Sequence, residues 1–251
     1  MISERCFFVQ TSQILYNVEK SSQRLDGILS ASNSGYEEIN YIPDRSKLTF
    51  TNGYYINVGA IFVDIRKSSE LPNEHKRPKL AKLYRSYISE VVAILNGYYE
   101  CKEVNIVGDC VSGIFEATLK PQIERMIDAA AQINSLIKIL NYKFRKNGIV
   151  EISVGIGIAF GRVLMVKAGY SGSSINDVVW MGEVVNEASN LCNQANKSGK
   201  QVILINDAVF SNLSKNYSKW FTKTNYELFY SCYQGDVINL TMDEWYNKNC
   251  K

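Results

Sequence analysis

At 251 residues with 46% hydrophobic content, the chain is long enough to bury one large core. Its formal charge of +3 comes from 28 basic and 25 acidic residues that alternate along the chain, so no basic face points to nucleic acid. The six cysteines show no Cys-x-x-Cys spacing, which argues against zinc or a disulfide framework, and no apolar run approaches the length of a membrane span.

Residues 1 to about 45 read as an N-terminal extension packing on the core, and residues 46–251 as the main domain. The first residues, with Glu4 and little apolar length, do not form a signal peptide, so a cytoplasmic enzyme is expected. Mixed helical spacing runs from Thr11 to Ile28, followed by the polar turn cluster Ser30 to Gly35. Ile56 to Ile65 is a predicted strand, and His75, in the Pro72–Pro78 loop, reads as a solvated residue and not as a catalytic base. Pro78 opens a helix whose Leu80, Leu83, Tyr84, Tyr87, Ile88, Val91 and Leu95 recur at helical spacing, and Gly97 ends it. Glu103 to Val107 and Cys110 to Phe115 are two strands joined by the tight turn Gly108-Asp109. Pro121 opens a second helix that stops at Asn147-Gly148. Val150 to Phe160 is a predicted strand, Gly161-Arg162 a turn into a second hairpin through Lys167, and Gly169 to Asp177 a flexible surface loop. Val184 to Ala195 is a short helix and Gln201 to Ile205 a further strand, beyond which the aromatic tail is less readable.

The core order is therefore β-α-β-β-α-β, a ferredoxin-like α+β arrangement. Asp64 ends the first strand and Asp109 tips the hairpin beside it, so the two carboxylates can share a cation. Hard cations such as Mg²⁺ are held by one or two carboxylates together with substrate phosphates. Two such aspartates point to a site for a metal-bound nucleoside triphosphate and to in-line displacement at phosphorus.

Three stretches carry a resemblance. Phe62-Val-Asp64-Ile-Arg66, Val107-Gly108-Asp109-Cys110-Val-Ser-Gly113 and Trp180-Met-Gly182-Glu-Val-Val-Asn186-Glu-Ala188-Ser189 resemble the class III nucleotidyl cyclases across roughly residues 56–206. The resemblance implies the class III cyclase catalytic fold, with extra strands around the ferredoxin-like core. It implies a head-to-tail homodimer with active sites at the interface and two divalent metal ions, Mg²⁺ or Mn²⁺. Asp64, Asp109 and the backbone carbonyl of Ile65 would bind the metals. The backbone amides of Arg66, Lys67, Ser68 and Ser69 would touch the triphosphate, and Asn186 from the partner chain would orient the ribose.

Departures from the family pattern narrow the substrate. Purine-using members have a lysine where this chain has Asn105 and an aspartate where it has Val179. A site that reads its ligand by hydrogen bonds rejects analogues strongly, so changing both readers should change the base. Asn190 stands where the family carries a transition-state arginine; Lys197, Lys200 or an arginine from elsewhere are the alternatives for that charge. The extension, the phrase Leu48 to Tyr55 and the run Val178 to Ala188 resemble the pyrimidine cyclases of bacterial Pycsar anti-phage systems. That resemblance implies UTP or CTP as substrate, with a lean to UTP, and cyclic UMP or cyclic CMP as product. It also implies a downstream effector that senses the product, with no nucleic-acid or membrane partner. Tyr54 or Tyr55 is a candidate to narrow the base pocket. The alternatives are a purine cyclase with an atypical pocket and an inactive cyclase-like regulator, the latter favoured by Asn190.

Overall fold

The computed structural model describes residues 13–171, 175–227 and 230–251. The segment read for a targeting signal, Cys6, the start of the Thr11 to Ile28 helical stretch and residues 172–174 of the predicted loop lie outside the described residues.

Helix α1 (Val18–Leu29) and strand β1 (Tyr36–Glu38) precede β2 (Gly53–Ile65). Helices α2 (Leu71–Glu74) and α3 (Arg77–Asn96) lead to β3 (Cys101–Val107) and β4 (Cys110–Glu116). Then come α4 (Lys120–Lys146), β5 (Val154–Gly169), β6 (Asn176–Met181), α5 (Glu183–Gln194) and β7 (Ile203–Ile205). The chain closes with α6 (Asp207–Asn212), α7 (Lys215–Ser218), β8 (Thr222–Glu227), β9 (Tyr230–Gly235) and α8 (Leu240–Asn249).

These elements form two compact units. Of the described residues, the smaller gathers those up to Ile56 with those of Val163–Gly182; the larger gathers those of Asn57–Arg162 with those of Glu183–Lys251. In the smaller unit β1 runs parallel to the start of β2, with Tyr36 opposite Gly53. There β6 runs antiparallel to the end of β5, with Leu164 opposite Met181, and Arg45 pairs with Asp177 at 2.9 Å.

The larger unit is built on the strand path β3-β4-β2-β5-β7-β9-β8. Its first four strands follow the order expected of a βαββαβ core, with β2 between β4 and β5. Helices α3 and α4 both begin on a proline in the first turn, where the missing N–H costs nothing. Leu83, Tyr87, Val91 and Leu95 of α3 meet Ile123, Ile127, Ile133 and Leu140 of α4 in the main core, with Ile61, Val63 and Ile65 of β2. Strand alternation separates two faces. Ile203 and Ile205 of β7 join that core, whereas Leu204 joins Leu191, Ala195 and Cys232 on the other, beneath α5.

Glycines on β5 let α5 approach. A Cβ on Gly157 would run into the Ala188 carbonyl and the Cys192 amide nitrogen, and one on Gly155 would stand 2.7 Å from the Cys192 carbonyl. The expected turn at Gly161-Arg162 has the same explanation. Strand β5 runs unbroken through both residues, and a Cβ on Gly161 would lie 2.8 Å from Val184 Cγ2. This glycine serves close packing, not chain reversal, so the predicted hairpin closes later, between Gly169 and Asn176.

Two further expectations are corrected. Strand β5 starts at Val154, not Val150, because side chains take the preceding backbone groups. Asn141 of α4 bonds both the amide and the carbonyl of Ile152, at 2.9 and 2.8 Å. His75 is not a solvated loop residue. It is half-buried, and its Nε2 accepts the Val150 amide at 2.7 Å.

Candidate active site

Strand β2 delivers Asp64 one residue before its end, and the β3–β4 turn delivers Asp109. The pairing of Val63 with Val111, and of Val107 with Cys110, brings both to the same end of the sheet. Gly108 occupies the first central position of this two-residue turn at φ +64°, a conformation that a glycine adopts without steric cost. The end of β2 is tied down by Tyr87, whose hydroxyl donates to the Val63 carbonyl at 3.2 Å.

The two carboxylates lie close enough to act on each other. Burial first, and then the Asp109 charge, push the Asp64 carboxyl above its ordinary value, while Arg66 and Lys197 pull it down. Burial and the same two aspartates hold the Cys110 thiol at about 11. They also raise the half-buried Tyr84 hydroxyl, again with burial as the leading cause. Asp109 Oδ2 is buried and has no hydrogen-bond partner. A buried, unpartnered carboxylate oxygen beside a second carboxylate is unfavourable unless a cation completes it. Among the described residues no cluster of three His, Cys, Asp or Glu is present, so the donor set is two carboxylates and backbone. That set fits a hard divalent cation shared with substrate phosphates and does not fit zinc.

Arg66 follows Asp64 by two residues, and its position departs from expectation. Its amide donates to the Ser153 carbonyl at 2.8 Å, so that amide is not available to a triphosphate. Its side chain is buried and turns inward, donating to Asp64 Oδ2 at 3.0 Å and to carbonyls at the end of α5. Lys67, at φ 57° and ψ 33°, then bends the chain into a 3₁₀ turn over Ser68–Glu70, which contains Ser68 and Ser69.

Asn186 and Asn190 lie one helical turn apart on α5, and both are exposed. That geometry suits residues offered outward. Lys197 follows in a loop held between α5 and β7 by the Asn196 amide on the Gln201 carbonyl at 2.9 Å. Asn196 and Ser198 in that loop take φ 54° and 52°, rare for residues with a side chain. Asn105, on β3, donates to Glu103 Oε1 at 2.8 Å. Tyr54 and Val179 belong to the smaller unit, where Tyr54 is half-buried on β2 and Val179 is exposed on β6 opposite Val166. The side-chain role of Arg66 and the nearness of Tyr84 escaped sequence reasoning. A charged residue directly after a buried strand was a signal for the first. Tyr84 was masked by its place in an apolar helical stripe.

Paired aspartates at a strand end and an adjoining hairpin, with the exposed asparagines of α5, form an arrangement able to hold a hard cation and to offer polar groups outward. Residues 51–229 match the adenylate and guanylate cyclase catalytic domain, and the chain belongs to this class III nucleotidyl cyclase family. It is similar to a uridylate cyclase of Gulbenkiania mobilis, 40% identical over 96% of this chain and 100% of that protein. It is likewise similar to a uridylate cyclase of Treponema porcinum, 36% identical over 99% of this chain and 87% of that one. In fold it is similar to the adenylyl cyclase CyaB from P. aeruginosa, with TM-score 0.62 and 22% identity over 73% of this chain and 95% of that chain. A class III adenylyl cyclase-like ATP-binding protein from Pseudomonas aeruginosa matches with TM-score 0.66 and 15% identity over 90% of this chain and 48% of that one. The chain is thus a nucleotidyl cyclase by sequence family and by fold.

Proposed function

We propose that this enzyme converts UTP to 3′,5′-cyclic UMP and pyrophosphate. The observation that carries the reading is the Asp64–Asp109 pair, with its unpartnered buried oxygen, in a chain 40% identical to a uridylate cyclase. Asp64, Asp109 and the Ile65 carbonyl would hold two divalent cations. When bound, these neutralise the triphosphate and lower the pKa of the ribose 3′-hydroxyl. The 3′-hydroxyl gives up its proton to solvent as its oxygen attacks the α-phosphorus in line, the bond from that phosphorus to the bridging oxygen of the β-phosphate breaks, and pyrophosphate leaves. Such chemistry needs positioning and charge more than covalent help. The turn from Lys67 to Ser69 supplies backbone amides to the phosphates. Asn186 orients the ribose from the partner chain of a head-to-tail homodimer, which its exposure on α5 supports. Lys197, whose charge already acts on Asp64, supplies positive charge that Asn190 cannot.

The choice of a pyrimidine base rests on the sequence departure itself: Asn105 and Val179 stand where purine users carry a lysine and an aspartate. The likeness to Pycsar cyclases supports a signalling role in which cyclic UMP activates a separate effector during phage infection. Among the described residues five cysteines are free, which accords with a reducing, cytoplasmic setting. The test is turnover of ATP, GTP, CTP and UTP with Mg²⁺ or Mn²⁺, read by mass spectrometry. Cyclic UMP as the dominant product is the expected result. Cyclic AMP or GMP as the main product would overturn the reading of Asn105 and Val179.

A further inference from the structure

Arg66 is 8% exposed, and its guanidinium works in two directions. Toward its own strand, Nη2 donates to Asp64 Oδ2 at 3.0 Å and to the Asp64 carbonyl at 3.2 Å. Toward α5, Nη1 donates to the carbonyls of Cys192, Asn193 and Ala195 at 3.1, 3.1 and 3.4 Å. The last carbonyls of a helix have no intrahelical donor and carry the negative end of the helix dipole, so a cation is favoured there. A planar guanidinium with five donors can serve a carboxylate and a helix end at once; a compact ammonium cannot. The chain makes room for it, since a Cβ on Gly155 would stand 2.9 Å from Arg66 Cζ.

A helix cap alone needs only the carbonyl bonds. The additional bond to Asp64 Oδ2 fixes the orientation of that carboxylate as well. We infer that Arg66 is a positioning residue that joins the Asp64 carboxylate to the end of α5, so that the metal-holding strand and the helix bearing Asn186 move as one body. The inference rests on the reading of Asp64 as a metal ligand. It makes Arg66 a determinant of metal affinity without being a ligand, and it makes metal loading a signal felt along α5.

The experiment uses the full chain, stripped of metal and titrated with Mn²⁺. Binding is read by loss of the free Mn²⁺ electron-spin signal, and α5 is followed by amide hydrogen exchange over residues 187–195. Wild type should bind Mn²⁺ and gain protection in the last turn of α5. Arg66→Lys, folded by circular dichroism, should bind at least tenfold more weakly, lose that gain, and lower kcat more than it changes the KM for UTP. A folded Arg66→Lys protein with wild-type Mn²⁺ affinity and the same protection gain would reduce Arg66 to a cap. Asp64→Ala offers a second arm that leaves the carbonyl bonds in place. Without metal, its α5 end should exchange faster than wild type, and equal exchange would overturn the linkage. Failure of wild type itself to bind Mn²⁺ would remove the metal reading and this inference together, and is distinguishable from the other outcomes.

Discussion

Asp109 carries the strongest single-residue sign of a bound cation, a buried carboxylate oxygen without a partner. A carboxylate oxygen that is buried and unpartnered is a stability cost that a fold retains only where something else completes it. Replacing it by Asn should therefore separate activity from stability. Turnover of Asp109→Asn should fall on the order of a thousandfold, the scale of several kcal/mol of lost charge stabilisation. Its melting temperature without metal should equal or exceed that of wild type, because the repulsion with Asp64 is relieved; near-wild-type turnover would sink the metal assignment. Glu187, next to Asn186, makes a pH-dependent case. Burial, the leading cause, raises its carboxyl above 4.5, against the pull of the Asn206 hydrogen bond at 2.6 Å. A carboxyl whose folded value is raised favours the fold at low pH and loses that contribution as pH rises through the folded value. Wild type and Glu187→Gln should thus melt alike near pH 4.5, and the variant should melt higher at pH 7.5. Equal melting at both pH values would show that the Asn206 bond offsets the burial.

At the scale of elements, the α5–β5 contact decides where Asn186 stands. Gly157→Ala would press a methyl group into the backbone of α5 at Ala188 and Cys192, where no rotamer change can relieve it. Overpacking of this kind costs about 1–3 kcal/mol, and lifting α5 should also reduce kcat at least tenfold. Gly199→Ala is the control. Its Cβ would meet nothing within 4 Å, so only its φ of +80° is unfavourable, at roughly 1–2 kcal/mol. Urea unfolding should therefore show both variants destabilised, while only Gly157→Ala loses turnover. A Gly157→Ala enzyme with unchanged kcat would show that the seat of α5 does not set catalysis.

For the whole molecule, the exposed asparagines of α5 and the half-buried carboxylates of Asp64 and Asp109 fit active sites shared between two copies. A complementation experiment tests this. Asp64→Ala and Asn186→Ala proteins should each be inactive. Mixed and re-equilibrated in equal amounts, they should recover roughly a quarter of wild-type activity, since half of the dimers are mixed and each holds one intact site of two. No recovery, with dimers present by light scattering, would place the complete site within one chain.

Much of this protein was determined by sequence alone, because it is encoded locally. Period and punctuation placed α3 and α4 behind their prolines, β3 and β4 around Gly108, and Asp64 and Asp109 at strand ends. Those signals depend on neighbours a few residues apart. The tertiary structure decided what depends on distant neighbours. Gly161 looks like a turn in sequence, yet its missing side chain admits Val184 across the sheet. Val150 to Ser153 look like strand, yet His75 and Asn141, remote in sequence, claim their backbone groups. Arg66 follows Asp64 and the end of β2 as a phosphate contact would, yet its amide and guanidinium are spent on Ser153, Asp64 and the end of α5. Hydrogen bonds and close approaches between segments far apart in the chain leave no periodic trace, and only the folded molecule sets them.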